Sequence, residues 1–115
     1  MKYQGSCHCG KIRFEVEGKI DGAISCNCSL CSRKGSLLWA VQRSQLHLRT
    51  PENAAGTYTF NKHSIRHRFC PNCGIQPYSE GVDREGNRMA VINIRCLEGV
   101  DLSEIPVQEF DGKAI

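Results

Sequence analysis

Eight cysteines in a chain of 115 residues constrain its fold more than any other feature. Seven of them lie in three short motifs, and the eighth, Cys96, stands alone. The motifs are C-x-C-G at residues 7–10, C-x-C-x-x-C at residues 26–31 and C-x-x-C-G at residues 70–74. Two thiolates separated by one or two residues can face one ion at about 2.3 Å each, and a following glycine lets the backbone fold around the sulfurs. The spacing predicts that these cysteines hold metal.

Zinc is the first choice, because tetrahedral sulfur sites in a reducing compartment hold zinc or iron–sulfur clusters. The spacing does not match the usual ferredoxin motifs, which leaves an iron–sulfur cluster as the minor alternative. A thioredoxin-like redox role for Cys70 and Cys73 is weaker still, since no βαβ pattern surrounds them. We therefore expect zinc, two ions per chain.

Seven clustered thiolates divide into four and three. Four protein ligands close a structural site, whereas three leave a position for water or substrate, which is the catalytic arrangement. Spacing alone does not determine which pairs combine. The two two-cysteine motifs naturally make a set of four, and the three-cysteine motif is then left as a local open site. Four other side chains could each close that open site and make it structural: Cys96, His8, His63 and His67.

The rest of the chain has the pattern of short strands. Ile12, Phe14 and Val16 alternate with charged residues, which is typical of a strand with one buried face. The apolar segment 89–94 is the strongest strand in the sequence, and Pro106 follows a predicted helical turn at residues 102–105. Further strands are predicted at residues 23–26, 37–41, 46–48, 57–60 and 65–69. A mainly β fold of antiparallel sheets with short helical turns is expected, in one zinc-binding domain over residues 1–115.

Composition excludes several classes of protein. Apolar residues make up 40% of the chain and the formal net charge is only +3, which argues against disorder. No apolar run approaches the roughly 20 residues of a membrane helix, so no membrane partner is expected. Residues 1–5 lack the apolar stretch of a signal peptide, which favours a cytoplasmic location. Seven thiolates and two zinc ions offset the positive charge, so nucleic acid is an unlikely partner. The sequence does not indicate an oligomeric state.

Three groups of residues resemble one known family. They are Gly5-Ser6-Cys7-His8-Cys9-Gly10, Cys26-x-Cys28-Ser29-x-Cys31 and His67-Arg68-Phe69-Cys70-x-x-Cys73-Gly74. In this order they resemble the glutathione-dependent formaldehyde-activating enzymes, a family that also includes centromere protein V. Residues 93–101 and 110–112 look like the C-terminal signature of that family.

The resemblance implies a β-tent fold, in which zinc pins small sheets together. It implies a structural zinc on Cys7, Cys9, Cys70 and Cys73. It also implies a second zinc at the catalytic cysteines Cys26, Cys28 and Cys31. The implied activity is that of a carbon–sulfur lyase, which forms or cleaves the adduct of formaldehyde with glutathione or a similar small-molecule thiol. His63, His67 and Tyr78 are the candidate proton carriers.

A non-enzymatic zinc module that binds protein or nucleic acid is the competing hypothesis. Trp39, Tyr58 and Phe60 could stack on bases, as single-strand binders require. Aromatic residues that alternate along strands are more often part of the core. Coordination discriminates the two functions, because a fourth protein ligand closes the second site and water leaves it open for chemistry.

Overall fold

A computed structural model describes residues 1–60 and 62–111. Within these ranges it contains ten strands and one short helix. Their bounds are β1 Lys2–Ser6, β2 Arg13–Glu17, β3 Ala23–Cys26, α1 Cys31–Lys34, β4 Leu38–Gln42, β5 Leu46–Leu48, β6 Gly56–Tyr58, β7 Arg66–Phe69, β8 Tyr78–Val82, β9 Arg88–Asn93 and β10 Val107–Phe110. Single 3₁₀ turns occupy Arg43–Gln45, Glu52–Ala54, Ile94–Cys96 and Leu102–Glu104.

The strands form two sheets. The smaller sheet has the order β1-β2-β5, and the larger has the order β10-β3-β4-β9-β8-β7-β6. Neighbouring strands are antiparallel except for β3 and β10, which run parallel at one edge. The predicted mainly β fold with short helical turns is confirmed. No helix in the described part of the chain has the length and apolar character needed to cross a bilayer.

The core lies between the two sheets. Phe14 and Val16 of β2 are fully buried and belong to one apolar cluster with Trp39 of β4 and Tyr78 of β8. The rings of Phe14 and Tyr78 meet edge to face, with centroids 5.9 Å apart. Ile92 of β9 is also fully buried in this cluster, as expected for the strongest predicted strand in the middle of the larger sheet.

The two faces of the larger sheet have different environments. Successive side chains of a strand point to opposite faces, and residues paired across strands share a face. Tyr78 pairs with Ile92, which places both on the core face. His67 pairs with Ser79, and Ser79 pairs with Val91, so these three side chains share the opposite face. This second face carries the candidate functional site.

Candidate metal centre and adjoining cavity

The first cysteine cluster joins two distant parts of the chain. Cys7 and Cys9 follow β1, while Cys70 and Cys73 follow β7, and their four sulfurs lie within 4.8 Å of one another. The Sγ–Sγ distance is 3.7 Å from Cys7 to Cys9 and 3.6 Å from Cys9 to Cys70. A tetrahedral zinc with 2.3 Å bonds needs sulfurs about 3.8 Å apart. The donor set and its spacing fit a closed zinc site.

The loops that carry these cysteines are shaped for thiolates. Gly74 has a φ of 82°, in the left-handed region where glycine is favoured, and its amide donates to the Cys70 carbonyl at 2.8 Å. The Cys73 amide donates to Cys70 Sγ at 3.4 Å. Hydrogen bonds from the amides of Ile75 and Cys9 lower the pKa of Cys73 to about 6. Such donors stabilise the charged form of sulfur that binds metal.

The second cluster is local in sequence. Cys26 ends β3, Cys28 lies in the following loop and Cys31 begins α1, with the three sulfurs within 4.8 Å of one another. The Cys28 amide donates to Cys26 Sγ at 3.5 Å, and the Cys31 amide donates to Cys28 Sγ at 3.4 Å. Three clustered thiols, two of which accept amide hydrogen bonds, fit a metal ion that keeps a fourth position open.

The four side chains that could have closed the second cluster do not belong to it in the described part of the chain. Among residues 1–60 and 62–111, that cluster contains only its three cysteines. Cys96 lies near the first cluster, where burial and, to a smaller extent, the charges of Cys7 and Cys73 raise its pKa. His8 and His63 are exposed, and Nδ1 of His63 lies 2.7 Å from Thr59 Oγ1. His67 lines a cavity next to the cluster.

That cavity has a volume of about 340 Å³. All three cysteines of the second cluster line it, together with apolar side chains that include Leu38, Phe60 and Val91. Lys34, which is half-buried, and His67, which is buried, line the same cavity. The volume lies at the lower end of the range for small-molecule sites. A metal ion on the three cysteines would therefore face a cavity able to hold a substrate.

Comparison with known proteins identifies the family. Residues 2–110 match the family model described as glutathione-dependent formaldehyde-activating enzyme, GFA. The chain belongs to the GFA family. It is also similar to the crystal structure of a Rhodobacter sphaeroides protein determined in structural genomics, with 31% identity and a TM-score of 0.77. That match covers 94% of this chain and 100% of the other. The resemblance expected from the cysteine motifs is confirmed.

Lys34 is the functional candidate of this GFA-family chain that sequence reasoning missed. It follows Cys31 by three residues on α1, so both side chains lie on neighbouring parts of one helical turn. Its Nζ donates to Gln76 Oε1 at 2.5 Å. Burial lowers the pKa of Lys34, while the nearby thiols raise it. The C-x-x-C-x-x-K spacing of residues 28–34 was the sequence signal that could have identified Lys34.

The three aromatic residues considered for base stacking have different environments. Trp39 is buried in the core and meets Tyr3 edge to face at 6.0 Å. Tyr58 is 51% exposed and stacks on Phe60, whose other neighbour is the ring of His67. The burial of Trp39 removes it from any surface that could stack on bases. Phe60 instead forms part of the cavity wall.

Proposed function

We propose that the protein is a zinc-dependent enzyme of the carbon–sulfur lyase type. Its substrates are a glutathione-like thiol and the S-hydroxymethyl adduct that this thiol forms with formaldehyde. One observation carries the proposal: the three-cysteine cluster opens on a 340 Å³ cavity, a size suited to a small molecule. Membership of the GFA family supports the same chemistry.

We assign the two clusters different roles within this proposal. Cys7, Cys9, Cys70 and Cys73 offer four sulfurs, which would hold a structural zinc. Cys26, Cys28 and Cys31 would hold the catalytic zinc. A zinc ion there would supply an open position that lowers the pKa of a thiol and polarises an aldehyde oxygen.

The chain's own side chains complete the site. Leu38 and Val91 give the cavity an apolar wall, which displaces water and strengthens electrostatic contacts inside. The Lys34 ammonium carries a positive charge on the same wall, where it would attract a carbonyl oxygen or a substrate carboxylate. These groups bind and orient the substrate.

We further propose that residues 1–115 act as one zinc-binding domain in the cytoplasm. Its eight cysteines are free thiols in the structure. Thiol clusters of this kind persist in reducing compartments, whereas oxidising ones convert thiols to disulfides.

Exchange spectroscopy tests the proposed reaction. Formaldehyde labelled with ¹³C and glutathione form the adduct spontaneously, so the zinc-loaded protein should accelerate formation and cleavage without changing the equilibrium. NMR magnetisation transfer between hydrated formaldehyde and the adduct carbon measures this rate, with heat-denatured protein as the control. The same assay with cysteine and 2-mercaptoethanol compares thiols. No acceleration over the control for any of these thiols would contradict the proposal.

A further inference from the structure

His67 is buried to more than nine-tenths, with 8% of its surface exposed. Its Nδ1 is buried and has no hydrogen-bond partner among residues 1–60 and 62–111. A buried polar atom without a partner costs folding free energy, so in a native protein it calls for an explanation such as a catalytic role or a bound molecule. His67 also lines the cavity beside the three-cysteine cluster. A molecule bound in that cavity would meet this imidazole.

The imidazole ring is held in place and kept neutral. It stacks on Phe60 with centroids 5.4 Å apart and an interplanar angle of 29°. Burial and the positive charge of Lys34 lower the pKa of His67 to about 4. The neutral imidazole has a nitrogen lone pair that can accept a proton, and its low pKa means that it holds this proton only transiently and releases it readily.

The structure discriminates among the three candidate proton carriers. Tyr78 lies on the core face of the larger sheet, packed against Phe14. His63 is exposed and contacts Thr59 through Nδ1. Of the three, His67 alone lines the cavity.

We propose that His67 is a catalytic residue that accepts the thiol proton during addition to the aldehyde, beside the Lys34 ammonium. This inference rests on the proposed function. The thiol proton moves to a ring nitrogen of His67, the sulfur lone pair forms the carbon–sulfur bond, and the carbonyl π pair moves onto oxygen. The imidazolium then gives its proton to that oxygen. The products are the S-hydroxymethyl adduct and a neutral His67, and cleavage follows the same steps in reverse.

Two substitutions test this role in the zinc-loaded protein. His67→Gln keeps a polar amide that cannot accept a proton at neutral pH, and His67→Ala leaves room for added imidazole. We expect both to slow adduct exchange about 100-fold or more, with zinc content unchanged and glutathione affinity by calorimetry within about threefold. Added imidazole should raise the exchange rate of His67→Ala at least about tenfold. His47→Gln is the matched control, because His47 lies on β5 in the smaller sheet, with its Nε2 3.3 Å from Glu17 Oε1.

A binding measurement provides a readout independent of turnover. In protein with ¹⁵N-labelled histidine, glutathione should shift the ring signals of His67 and leave those of His47 in place. A fully active His67→Ala protein would overturn the inference alone. The inference would also fail if the variants lost zinc or thiol affinity along with activity and imidazole restored nothing. That result would describe a structural residue. A wild-type protein that accelerates no thiol exchange would overturn the proposed function and this inference with it.

Discussion

Cys28 and Cys96 are both half-buried, but their surroundings differ. The sulfur of Cys28 lies within 4.8 Å of two other thiols and accepts a hydrogen bond from the Cys31 amide. Cys96 accepts a hydrogen bond from Asn93 Nδ2 at 3.6 Å, and burial raises its pKa to about 11. Cys96 belongs to neither sulfur cluster in the described part of the chain. The two residues are therefore a matched pair for separating ligation from packing.

We expect Cys28→Ser to lose one of two zinc ions and the adduct-exchange activity. Its melting temperature should fall by less than about 5 °C, since the three-cysteine cluster spans only residues 26–31 and joins no distant segments. Cys96→Ser should keep both ions and full activity. Metal analysis per chain and thermal melting measure these outcomes. Two ions in Cys28→Ser, or one in Cys96→Ser, would contradict the ligand assignment.

At the scale of elements, β8 carries a buried charge cluster within the larger sheet. Glu80 is 3% exposed, and Arg43 Nε donates to its Oε2 at 2.7 Å. Arg68, also buried, lies 3.9 Å from Glu80 Oε1 through its Nε and donates to the Glu52 carbonyl. Because the carboxylate neutralises the buried guanidinium of Arg68 and the partly buried one of Arg43, its loss leaves positive charge without compensation.

Glu80→Gln should therefore lower the free energy of unfolding by about 3 kcal/mol. Glu17→Gln is the control, because Glu17 is half exposed and its pairs with Lys2 and His47 are screened by solvent. The control should change stability by less than about 1 kcal/mol. Denaturant unfolding of both proteins at pH 7 measures the difference. Equal stabilities would show that water or rearrangement compensates the arginines.

A second carboxylate predicts a dependence on pH. On β2, hydrogen bonds from Arg49 at 2.6 Å and Gln4 at 2.9 Å lower the pKa of Glu15 from 4.5 to about 2. The unfolded state then binds more protons than the folded state between these values. This contribution is complete above pH 4.5 and disappears as pH falls through about 2.

We therefore expect the stability advantage of wild type over Glu15→Gln to shrink steadily between about pH 5 and pH 2. Unfolding curves of the two proteins at each pH measure it. Acid also releases zinc from thiolates, but both proteins share that loss, so their difference isolates Glu15. An advantage that stays constant with pH would rule out the lowered pKa.

At the scale of the whole molecule, the four-cysteine cluster connects segments that lie far apart in sequence. Cys9 and Cys70 are separated by 61 positions and their sulfurs by 3.6 Å. The first pair follows β1 of the smaller sheet and the second follows β7 of the larger sheet. Zinc at this place would cross-link the two sheets, and its binding free energy would contribute directly to folding.

Cys73→Ser should lower the melting temperature by more than about 10 °C or prevent folding, unlike Cys28→Ser. A strong chelator should reduce the melting temperature of wild type by a similar amount. Thermal melting with and without the chelator measures both, and Cys96→Ser controls for the loss of a thiol. A Cys73→Ser protein as heat-stable as wild type would overturn the structural role.

Sequence patterns predicted some strands and missed others for physical reasons. The segments around β2, β4 and β9 are rich in apolar and β-branched residues, and the structure confirms them as strands. β8 contains Glu80 and Gly81, which are uncommon in strands, and Glu80 is tolerated there because arginines reach it, among them Arg43 from a 3₁₀ turn. β10 is exposed along its whole length, so it has no alternating pattern to detect. Its parallel pairing with β3 is a tertiary contact.

By itself the sequence determined the candidate ligands and the β class. Ligand spacing within each motif is local, and alternation along a strand is visible without knowledge of its neighbours. Only the tertiary structure decided which cysteine motifs meet and which face of the sheet stays open. It alone brought His67 of β7 and Lys34 of α1 to the cavity beside Cys31. Strand order and register control these long-range placements, and they depend on packing between residues far apart in sequence.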